Sequence, residues 1–451
     1  MTDNTSSELR VNVFVDLLGK AGMISTVHKT ILVIAVPFPG YYLTGFRRWL
    51  MEGVPPDGMP AIVNFLRETA KRGYQVHITL PVLGREYPCK RTVREGRIVV
   101  YPYKIPACFS PLIKLFRWRG NFLLNFLFIF LTMIFSFGFH MRLIKHIKPL
   151  FIYQMGYNTL NGHFLQLRTG VPLVYRMFGT ALGEKLDSTG HIRLNLWDRI
   201  RSTPETYSYR YPGDLMVIGN DGTRGGEVMR AFGVPKQRSL FTMNGIGYQR
   251  ERKSKANLRK GFGKDVFLAV TVTRLVPWKG VDRTIRAFPL VIKKEPRLRL
   301  VIVGDGNERK ALEDLVRESG MEEFVKFQGV IPHDMVIDTI RQADVLISTQ
   351  YVTNRSNCTL EAVMAGRPVV SLDDGSLDGF LEHMRDSLLV DTDDINEQLS
   401  SALVCLAQDP KLYGKLRKGV EKTRSQMRSW AQRINYELEV IEGVIGSGKP
   451  E

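Results

Sequence analysis

The chain has 451 residues, of which 44% are hydrophobic, so it is long enough for two packed domains, and global disorder is excluded. Its formal net charge of +18 at pH 7 indicates an anionic partner, such as a phosphorylated substrate or an acidic membrane surface. No nucleic-acid partner is expected, because no compact basic segment carries the interleaved aromatic residues of a nucleic-acid-binding module.

The first half of the chain begins with an apolar run at residues 31–37, which ends in Pro-Phe-Pro-Gly and is typical of a buried parallel strand. A segment with helical spacing and a second strand follow, which is the order that opens a Rossmann-like unit. The later elements predicted in this series are residues 59–72 (helix), 74–80, 98–101 and 150–153 (strands), 158–168 (helix), and 172–175 and 215–218 (strands).

Residues 122–139, FLLNFLFIFLTMIFSFGF, break this alternation because they are apolar almost all round. Their length is at the lower limit for crossing a bilayer, but a true span would place strands of one sheet on opposite sides of a membrane. Two interpretations stay open, a helix that enters one leaflet and a buried core helix. Basic residues flank the segment at both ends and favour the leaflet.

The second half alternates again, with a linker predicted near residues 236–244. The predicted strands are residues 266–272, 298–303, 325–328, 345–348 and 368–371, and the predicted helices are residues 281–294, 308–319, 335–342, 359–365 and a long tail at 412–445. The predicted fold class is therefore α/β, with two doubly wound Rossmann-like domains that face each other across a cleft. Ligands of such sheets bind at the carboxyl ends of the strands.

The loop Thr273 to Gly280, TRLVPWKG, follows a predicted strand and precedes a helix. Arg274 and Lys279 in this loop are suited to hold a diphosphate, since a guanidinium forks onto phosphate oxygens and an ammonium supplies a compact charge. The alternative is a pair of solvated surface cations, which is the commoner case for this spacing alone. A helix predicted to begin at Thr359 would add exposed amides and the positive end of its dipole.

The loop closely resembles the GRLxxxKGxD segment of retaining glycosyltransferase family four, the glycosyl transferases group 1, which has the GT-B fold. Further matches occur in the family's order: Asn244-Gly245-Ile246 (with Gly247 where Asp is usual), Val303-Gly304-Asp305-Gly306, Phe327-Gln328-Gly329, Leu360-Glu361-Ala362 and Ala365-Gly366-Arg367-Pro368-Val369-Val370. The resemblance implies that Arg274 and Lys279 bind the donor diphosphate as the catalytic cations. It also implies that Glu361, the second Glu of an E-x7-E motif, binds the ribose.

The resemblance also implies which domain binds the donor and which binds the acceptor. Residues 239–425 are predicted to be the donor domain, and residues 1–238, completed by a returning C-terminal helix at 426–446, the acceptor domain. The other predicted donor-binding residues are Gly304, Gly306, Val330, Ile331, Thr353, Asn354, Arg355, Ser356, Asn357, Cys358 and Thr359.

The sequence departs from the family in both halves. Thr353 stands where the first Glu of E-x7-E is expected, near the transferred sugar. In the first half, Phe178 stands where a sugar-contacting His is common. Gly58, Arg176, Phe178 and Gly179 are candidate sugar or acceptor residues; for Arg176, an anion contact and a structural ion pair stay open. Asn220 to Arg224 either line the cleft or cap the next helix, and we favour a cap by Asp221 or Thr223.

The predicted function is the transfer of a hexose-type sugar, with retention, from a UDP- or GDP-sugar to a membrane-proximal, lipid-linked or saccharide acceptor in cell-surface polysaccharide or glycolipid synthesis. No metal or other cofactor is expected, because cations and helix amides neutralise the diphosphate. The widely spaced cysteines and the polar start of the chain suggest a cytoplasmic protein, attached peripherally to the inner face of the membrane. The alternatives are a catalytically degenerate scaffold protein and a nucleotide-sugar epimerase.

Overall fold

The structure is a computed structural model that describes residues 29–35, 60–83, 93–105, 122–156, 159–187, 189–247, 257–263 and 265–447. The described residues form two sheets, of eight and six strands, with helices packed against them. Every neighbouring pair of strands is parallel except the first pair of the eight-stranded sheet, β3 and β4. The predicted architecture of two doubly wound domains is confirmed.

The first sheet has the strand order β3-β4-β2-β1-β5-β6-β7-β8. Its interior strands are apolar and buried because crossover helices cover both faces of the sheet. The strands are β1 (Thr30–Ala35), β2 (Gln75–Leu83), β3 (Val93–Glu95), β4 (Ile98–Ile105), β5 (Phe151–Met155), β6 (Leu173–Met177), β7 (Leu215–Gly219) and β8 (Ser239–Thr242). The helices are α1 (Pro60–Lys71), α2 (Phe122–Ile147), α3 (Thr159–Thr169), α4 (Leu196–Arg201), α5 (Thr203–Arg210) and α6 (Gly225–Ala231).

The second sheet has the order β11-β10-β9-β12-β13-β14. Its strands are β9 (Phe267–Val272), β10 (Leu298–Val303), β11 (Val325–Gly329), β12 (Val345–Ser348), β13 (Val369–Leu372) and β14 (Ser387–Val390). The helices of this part are α7 (Val281–Lys294), α8 (Arg309–Glu318), α9 (Val336–Ile340), α10 (Asn357–Met364), α11 (Ile395–Gln408) and α12 (Pro410–Gln426). β9 lies between β10 and β12, so the loops that follow these three strands meet at one edge.

The predicted helical tail is interrupted at residues 427–429, after which α13 (Trp430–Ser447) returns to the first domain. The turn is held in place because Trp430 N donates to Ile246 O. α13 packs on α1, and its Ile434, Leu438 and Ile441 are fully buried in the first domain's core. The prediction of a returning C-terminal helix is confirmed.

The junction between the domains differs from the predicted linker at residues 236–244. β8 occupies part of it and pairs with β7, so the first sheet extends past residue 238. The predicted domain limits themselves stay a prediction.

α2 contains the apolar segment of residues 122–139 and continues to Ile147. Towards its end, His140 is fully buried and is bonded to Thr79 at 3.0 Å and to Asn161 at 3.2 Å, which ties this part of the helix to the domain. Further towards its start, Phe130 and Ile134 are 41% and 50% exposed. None of the helices in the described residues has both the length and the hydropathy that a membrane span needs.

Candidate functional site

The loop at residues 273–280 leaves β9 and is braced by the turn that follows β10. Thr273 N donates to Val303 O and Leu275 N to Asp305 O, both at 2.9 Å. Gly304 has φ +135°, and a Cβ there would lie 1.8 Å from Thr273 O. A Cβ at Gly306 would lie 2.1 Å from Leu275 O. These glycines therefore shape the backbone on either side of Arg274, and their predicted donor contact stays a prediction.

Arg274 and Lys279 share one aromatic ring. The Arg274 guanidinium lies 5.7 Å and the Lys279 Nζ 4.2 Å from the ring centre of Trp278. Arg274 is exposed and forms no ion pair with any carboxylate in the described part of the chain. The pKa of Lys279 is lowered to about 8, mainly by burial; the nearby charge of Arg274 acts in the same direction and Cys358 in the opposite one. Two adjacent cations without a carboxylate partner in the described residues are suited to hold an anion.

The end of β12 fixes the position of Lys279. Its Nζ donates to Gln350 Oε1 at 2.6 Å, and Thr349 Oγ1 donates to Gly280 O at 2.8 Å. Gly280 has φ +62°, and a Cβ there would lie 2.1 Å from Thr349 O. Only glycine permits this close approach, which turns the chain from Lys279 into α7.

α10 begins at Asn357, because Ser356 is its N-cap and accepts a hydrogen bond from Thr359 N at 3.4 Å. The prediction that Thr359 begins this helix is therefore wrong by two residues. Thr359 is fully buried, and its hydroxyl donates to Asn354 O at 2.6 Å. The first-turn amides, including that of Cys358, form the positive end of the helix dipole.

The start of α10 lies beside the two cations. Burial raises the pKa of the Cys358 thiol, and the charge of Lys279 acts on the same thiol in the opposite direction. Lys279 thus lies close to the first turn of α10. The structure brings together the three predicted elements of the diphosphate site, namely Arg274, Lys279 and the helix N-terminus.

Glu361 lies one turn further along α10 and borders a pocket. Its Oε1 is 3.7 Å from His333 Nε2, and its side chain is mostly buried. The pocket is lined by Gly245, Ile246, Gly247, Ile337, Asn357, Leu360, Glu361, Met364 and Trp430. It lies where the second domain meets the segment after β8 and the start of α13. Of the predicted base-contacting residues, Val330 is 74% exposed, whereas Ile331 packs partly into the second domain's core.

The side chains of Asn354 and Arg355 hold the loop after β12 in shape. Asn354 is fully buried; its Oδ1 accepts from Gln350 N at 2.9 Å, and its Nδ2 donates to Asp374 Oδ2 at 2.7 Å. Arg355 is buried and donates to Asp378 O. The Asn354 side chain is fully used in such bonds, so any donor contact by Asn354 would have to come from its backbone groups.

Thr353, which replaces the expected first Glu, faces the first domain. Its Oγ1 donates to the backbone oxygen of Asp221 at 2.6 Å. A Cβ at Gly222 would lie 2.4 Å from the same Oγ1, so the loops after β7 and β12 are in direct contact. The residue links the two domains at this point of the cleft.

Arg176 lies in β6 and is 2% exposed. Burial lowers its pKa, while the negative charges of Glu437 and Asp221 oppose that effect. Glu437 lies on α13, accepts a hydrogen bond from Tyr153 and is 2.6 Å from Arg433. Arg176 thus belongs to a buried charge cluster that ties α13 to the first sheet. Its Nη1 and Nη2 have no hydrogen-bond partner in the described ranges, so an anion contact stays a prediction.

The neighbours of Arg176 include two other predicted residues. The Phe178 ring centre is 5.7 Å from the Arg176 guanidinium, and Phe178 packs against the first domain's core. A Cβ at Gly179 would lie 2.2 Å from Asp221 Oδ2, so the Asp221 carboxylate lies directly over this glycine. Gly58 lies outside the described residues.

The prediction that Asp221 or Thr223 caps α6 is wrong. The N-cap is Arg224, which has φ +61° and forms no side-chain cap. Asp221 Oδ1 instead accepts from Thr223 N at 3.1 Å and from Thr223 Oγ1 at 2.6 Å. Sequence reasoning also missed Trp278 and Gln350, although Trp278 lies inside the recognised loop.

Comparisons with known proteins give a match in the second half of the chain. The sequence profile of the family described as Glycosyl transferases group 1 matches residues 266–409. Alpha-monoglucosyldiacylglycerol synthase of Acholeplasma laidlawii is 25% identical over 188 residues, 42% of this chain and 46% of that protein. Mannosylfructose-phosphate synthase of Agrobacterium fabrum is 26% identical over 283 residues, 59% of this chain and 60% of that protein. The chain thus spans about half the length of the curated relatives it matches.

Solved structures match over nearly the whole chain. Sucrose-phosphate synthase from Thermosynechococcus elongatus has a TM-score of 0.68 at 15% identity, covering 93% of this chain and 100% of that one. Anabaena HepE in complex with UDP has a TM-score of 0.62 at 16% identity, covering 92% and 100%. These similarities show the GT-B fold. Residues 266–409, which carry Arg274, Lys279 and Glu361, match the glycosyl transferases group 1 family, and this match confirms the resemblance seen in the sequence.

Proposed function

We propose that the protein is a retaining glycosyltransferase that moves a hexose-type sugar from a UDP- or GDP-sugar to a lipid-linked or membrane-proximal acceptor. One observation carries this proposal: Arg274 and Lys279 lie on the same ring, beside the first turn of α10, at the carboxyl edge of the second sheet. Neither cation is paired with a carboxylate in the described residues. Such an arrangement suits the diphosphate of a nucleotide sugar.

The roles of these residues in the reaction follow from the position at which negative charge develops on the donor. As the bond between the anomeric carbon and the phosphate oxygen breaks, negative charge grows on the departing diphosphate. Arg274, Lys279 and the α10 amides are already in position, so they stabilise the transition state more than the ground state. Partial burial strengthens the interaction of Lys279 with this charge. No bound metal is needed in this scheme.

The pocket beside α10, which Glu361 borders, supports a proposal for the remaining contacts of the donor. Glu361 accepts hydrogen bonds from the ribose hydroxyls, and the base lies near Val330 and Ile331. The similarity to Anabaena HepE, whose structures contain UDP and UDP-glucose, supports a nucleotide-sugar donor for this chain. The match of residues 266–409 to the glycosyl transferases group 1 family supports it independently.

The acceptor side of the proposal rests on exposed apolar side chains of the first domain. Phe130, Ile134 and Phe135 of α2 are 41–50% exposed. α4 has no buried residue, and its Leu196 and Trp197 are 71% and 76% exposed. Apolar side chains next to arginines favour an anionic membrane surface. The relative from Acholeplasma laidlawii is named for a diacylglycerol lipid, which supports a lipid acceptor here.

A two-stage experiment tests the function. Thermal unfolding is measured with UDP- and GDP-sugars, since a ligand at about 100 times its Kd adds about 2.7 kcal/mol of stability. The nucleotide sugar that stabilises the protein is then incubated with lipid extract, and the anomeric configuration of the product is read by NMR. We expect transfer with retention. Binding without transfer or hydrolysis would favour the scaffold alternative, and sugar interconversion without transfer the epimerase.

A further inference from the structure

The two domains are in contact at Thr353, the position at which the E-x7-E motif would have its first Glu. The Thr353 hydroxyl donates to the Asp221 backbone oxygen at 2.6 Å, and a Cβ at Gly222 would lie 2.8 Å from Ser376 as well as 2.4 Å from Thr353 Oγ1. The loop after β7 therefore lies directly on the loop after β12. The Thr353 hydroxyl donates its proton in this contact.

The Asp221 carboxylate has a fixed orientation at this contact between the two domains. Its Oδ1 accepts two hydrogen bonds from Thr223, at 3.1 Å from N and 2.6 Å from Oγ1. The carboxylate lies so close over Gly179 that any side chain there would meet Oδ2. It caps no helix and forms no ion pair in the described part of the chain. A carboxylate that is held in one orientation by Thr223, and that has no ion-pair partner in the described residues, is suited to bind a ligand.

Cations from both domains act on Asp221. Burial raises the pKa of the Asp221 carboxyl group above its usual value, while the hydrogen bonds from Thr223 and the charge of Arg176 act in the opposite direction. Arg355 of the second domain is also within electrostatic range of Asp221. Nitrogens of both guanidinium groups, Nη1 and Nη2 of Arg176 and Nε of Arg355, have no hydrogen-bond partner among the described residues. The two charges favour an ionised Asp221, which accepts hydrogen bonds.

A short chain of contacts connects Asp221 to the diphosphate site. Lys279 Nζ donates to Gln350 Oε1 at 2.6 Å, Gln350 N donates to Asn354 Oδ1 at 2.9 Å, and Thr353, the neighbour of Asn354, bonds to Asp221. One loop thus contacts the cation at one end and Asp221 at the other. A sugar attached to a diphosphate at Lys279 would lie beside this loop.

We infer that the Asp221 carboxylate binds hydroxyl groups of the transferred hexosyl unit, from the first domain and across the cleft. This inference rests on the proposed function and adds a sugar site to it. An ionised carboxylate accepts two hydrogen bonds from neighbouring hydroxyls, which fixes the orientation of the ring. This contact supplies the carboxylate that is absent at Thr353. Asp221 therefore determines which sugar the protein selects.

Calorimetric titration of wild type and Asp221→Asn tests the inference. The probes are UDP-glucose, UDP-galactose, UDP-N-acetylglucosamine and GDP-mannose, each compared with its own nucleoside diphosphate. Asparagine keeps the Oδ1 acceptor for Thr223 and removes the charge. We expect unchanged affinity for the nucleoside diphosphate and a loss of about 10-fold or more for the preferred nucleotide sugar. Asp373→Asn, at an exposed aspartate after β13, is the control and should leave both affinities unchanged.

The outcomes separate a sugar contact from a structural role. An equal fall of both affinities together with a lower melting temperature would show that Asp221 only supports the loop, and would overturn the inference. An unchanged preference for the sugar would also overturn it. If Asp221→Asn does not fold, Asp221→Glu keeps the charge, displaces the carboxylate and should still weaken the sugar contact alone. A wild-type protein that binds none of the nucleotides refutes the proposed function itself.

Discussion

Arg176 and Arg274 lie near the carboxyl ends of parallel strands, one in each sheet, in opposite surroundings. Arg176 is 2% exposed and belongs to a buried cluster with Glu437 and Arg433. Arg274 is exposed, lies on a loop braced by glycines, and has no carboxylate partner in the described residues. A buried carboxylate beside Arg176 makes this residue part of the fold, whereas Arg274, which has no such partner in the described residues, stays available for a ligand.

The largest expected effect concerns the buried cluster. Glu437→Ala removes the carboxylate next to Arg433 and Arg176 and leaves two buried guanidinium groups without it. We expect the free energy of unfolding to fall by about 3–5 kcal/mol, measured by urea denaturation. Glu439→Ala on the same helix removes an exposed carboxylate and should cost about 0.5 kcal/mol or less. Equal effects of the two variants would contradict the structural role of the cluster.

The next effect concerns the anion site. Lys279→Ala removes a cation from the developing charge of the diphosphate, so kcat should fall by about 100- to 1,000-fold in the transfer assay. The free energy of unfolding should change little, because the side chain is partly exposed. Lys293→Ala removes an exposed lysine from α7 and serves as the matched control. A wild-type rate in Lys279→Ala would exclude the catalytic role.

Variants of two glycines test whether the contact between the loop at residues 273–280 and the turn after β10 is needed for UDP binding. Gly304→Ala places a methyl group where Thr273 O lies, and so should displace Arg274 and weaken UDP binding by about 10-fold, measured by calorimetry. Gly320→Ala also has a positive φ, +65°, but its Cβ meets no atom within 4 Å. The control should lower stability by about 1–2 kcal/mol and leave UDP binding intact. If Gly304→Ala and Gly320→Ala both bound UDP more weakly, a general loss of stability would explain the effect, and displacement of Arg274 would not be needed.

The pH dependence of donor binding sharpens the assignment of Lys279. Its pKa is lowered to about 8, so the free protein loses this positive charge as the pH rises through 8. The protonated form binds the diphosphate, so UDP affinity should fall by about 5-fold between pH 8 and pH 9. In Lys279→Ala this part of the pH dependence should be absent. A flat profile in the wild type would place the diphosphate away from Lys279.

The smallest expected effect is on membrane binding. Trp197→Ser removes a 76% exposed ring from α4, so stability should hold while the fraction sedimenting with anionic vesicles falls a few-fold. Val352→Ser, which removes an exposed apolar side chain from the second domain, should not change sedimentation. Equal sedimentation of wild type, Trp197→Ser and Val352→Ser with the vesicles would contradict a contact between α4 and the membrane.

The second domain was largely predictable from the sequence because its constraints are local. Apolar strands alternate with amphipathic helices, and Gly304 and Gly306 lie in the sequence where the backbone approaches most closely. The sequence places the start of α10 two residues late, at Thr359, because the Ser356 cap starts the helix at Asn357. That difference depends on one hydroxyl and leaves the helix N-terminus beside Lys279.

The first domain was harder to predict because its key contacts join distant residues. Glu437 reaches Tyr153 and Arg433 only after α13 has returned across the molecule. Asp221 looked like a helix cap, and its contact with Thr353 requires the two domains to meet. No periodicity or short motif in the sequence encodes such pairs.

The most direct test of the central claim is the affinity of UDP relative to UMP, measured by calorimetry in the wild type and in an Arg274→Ala, Lys279→Ala double variant. The account predicts that the wild type binds UDP much more tightly than UMP, and that the double variant binds the two nucleotides nearly alike. The same UDP-to-UMP ratio in both proteins would contradict a diphosphate site at these two cations.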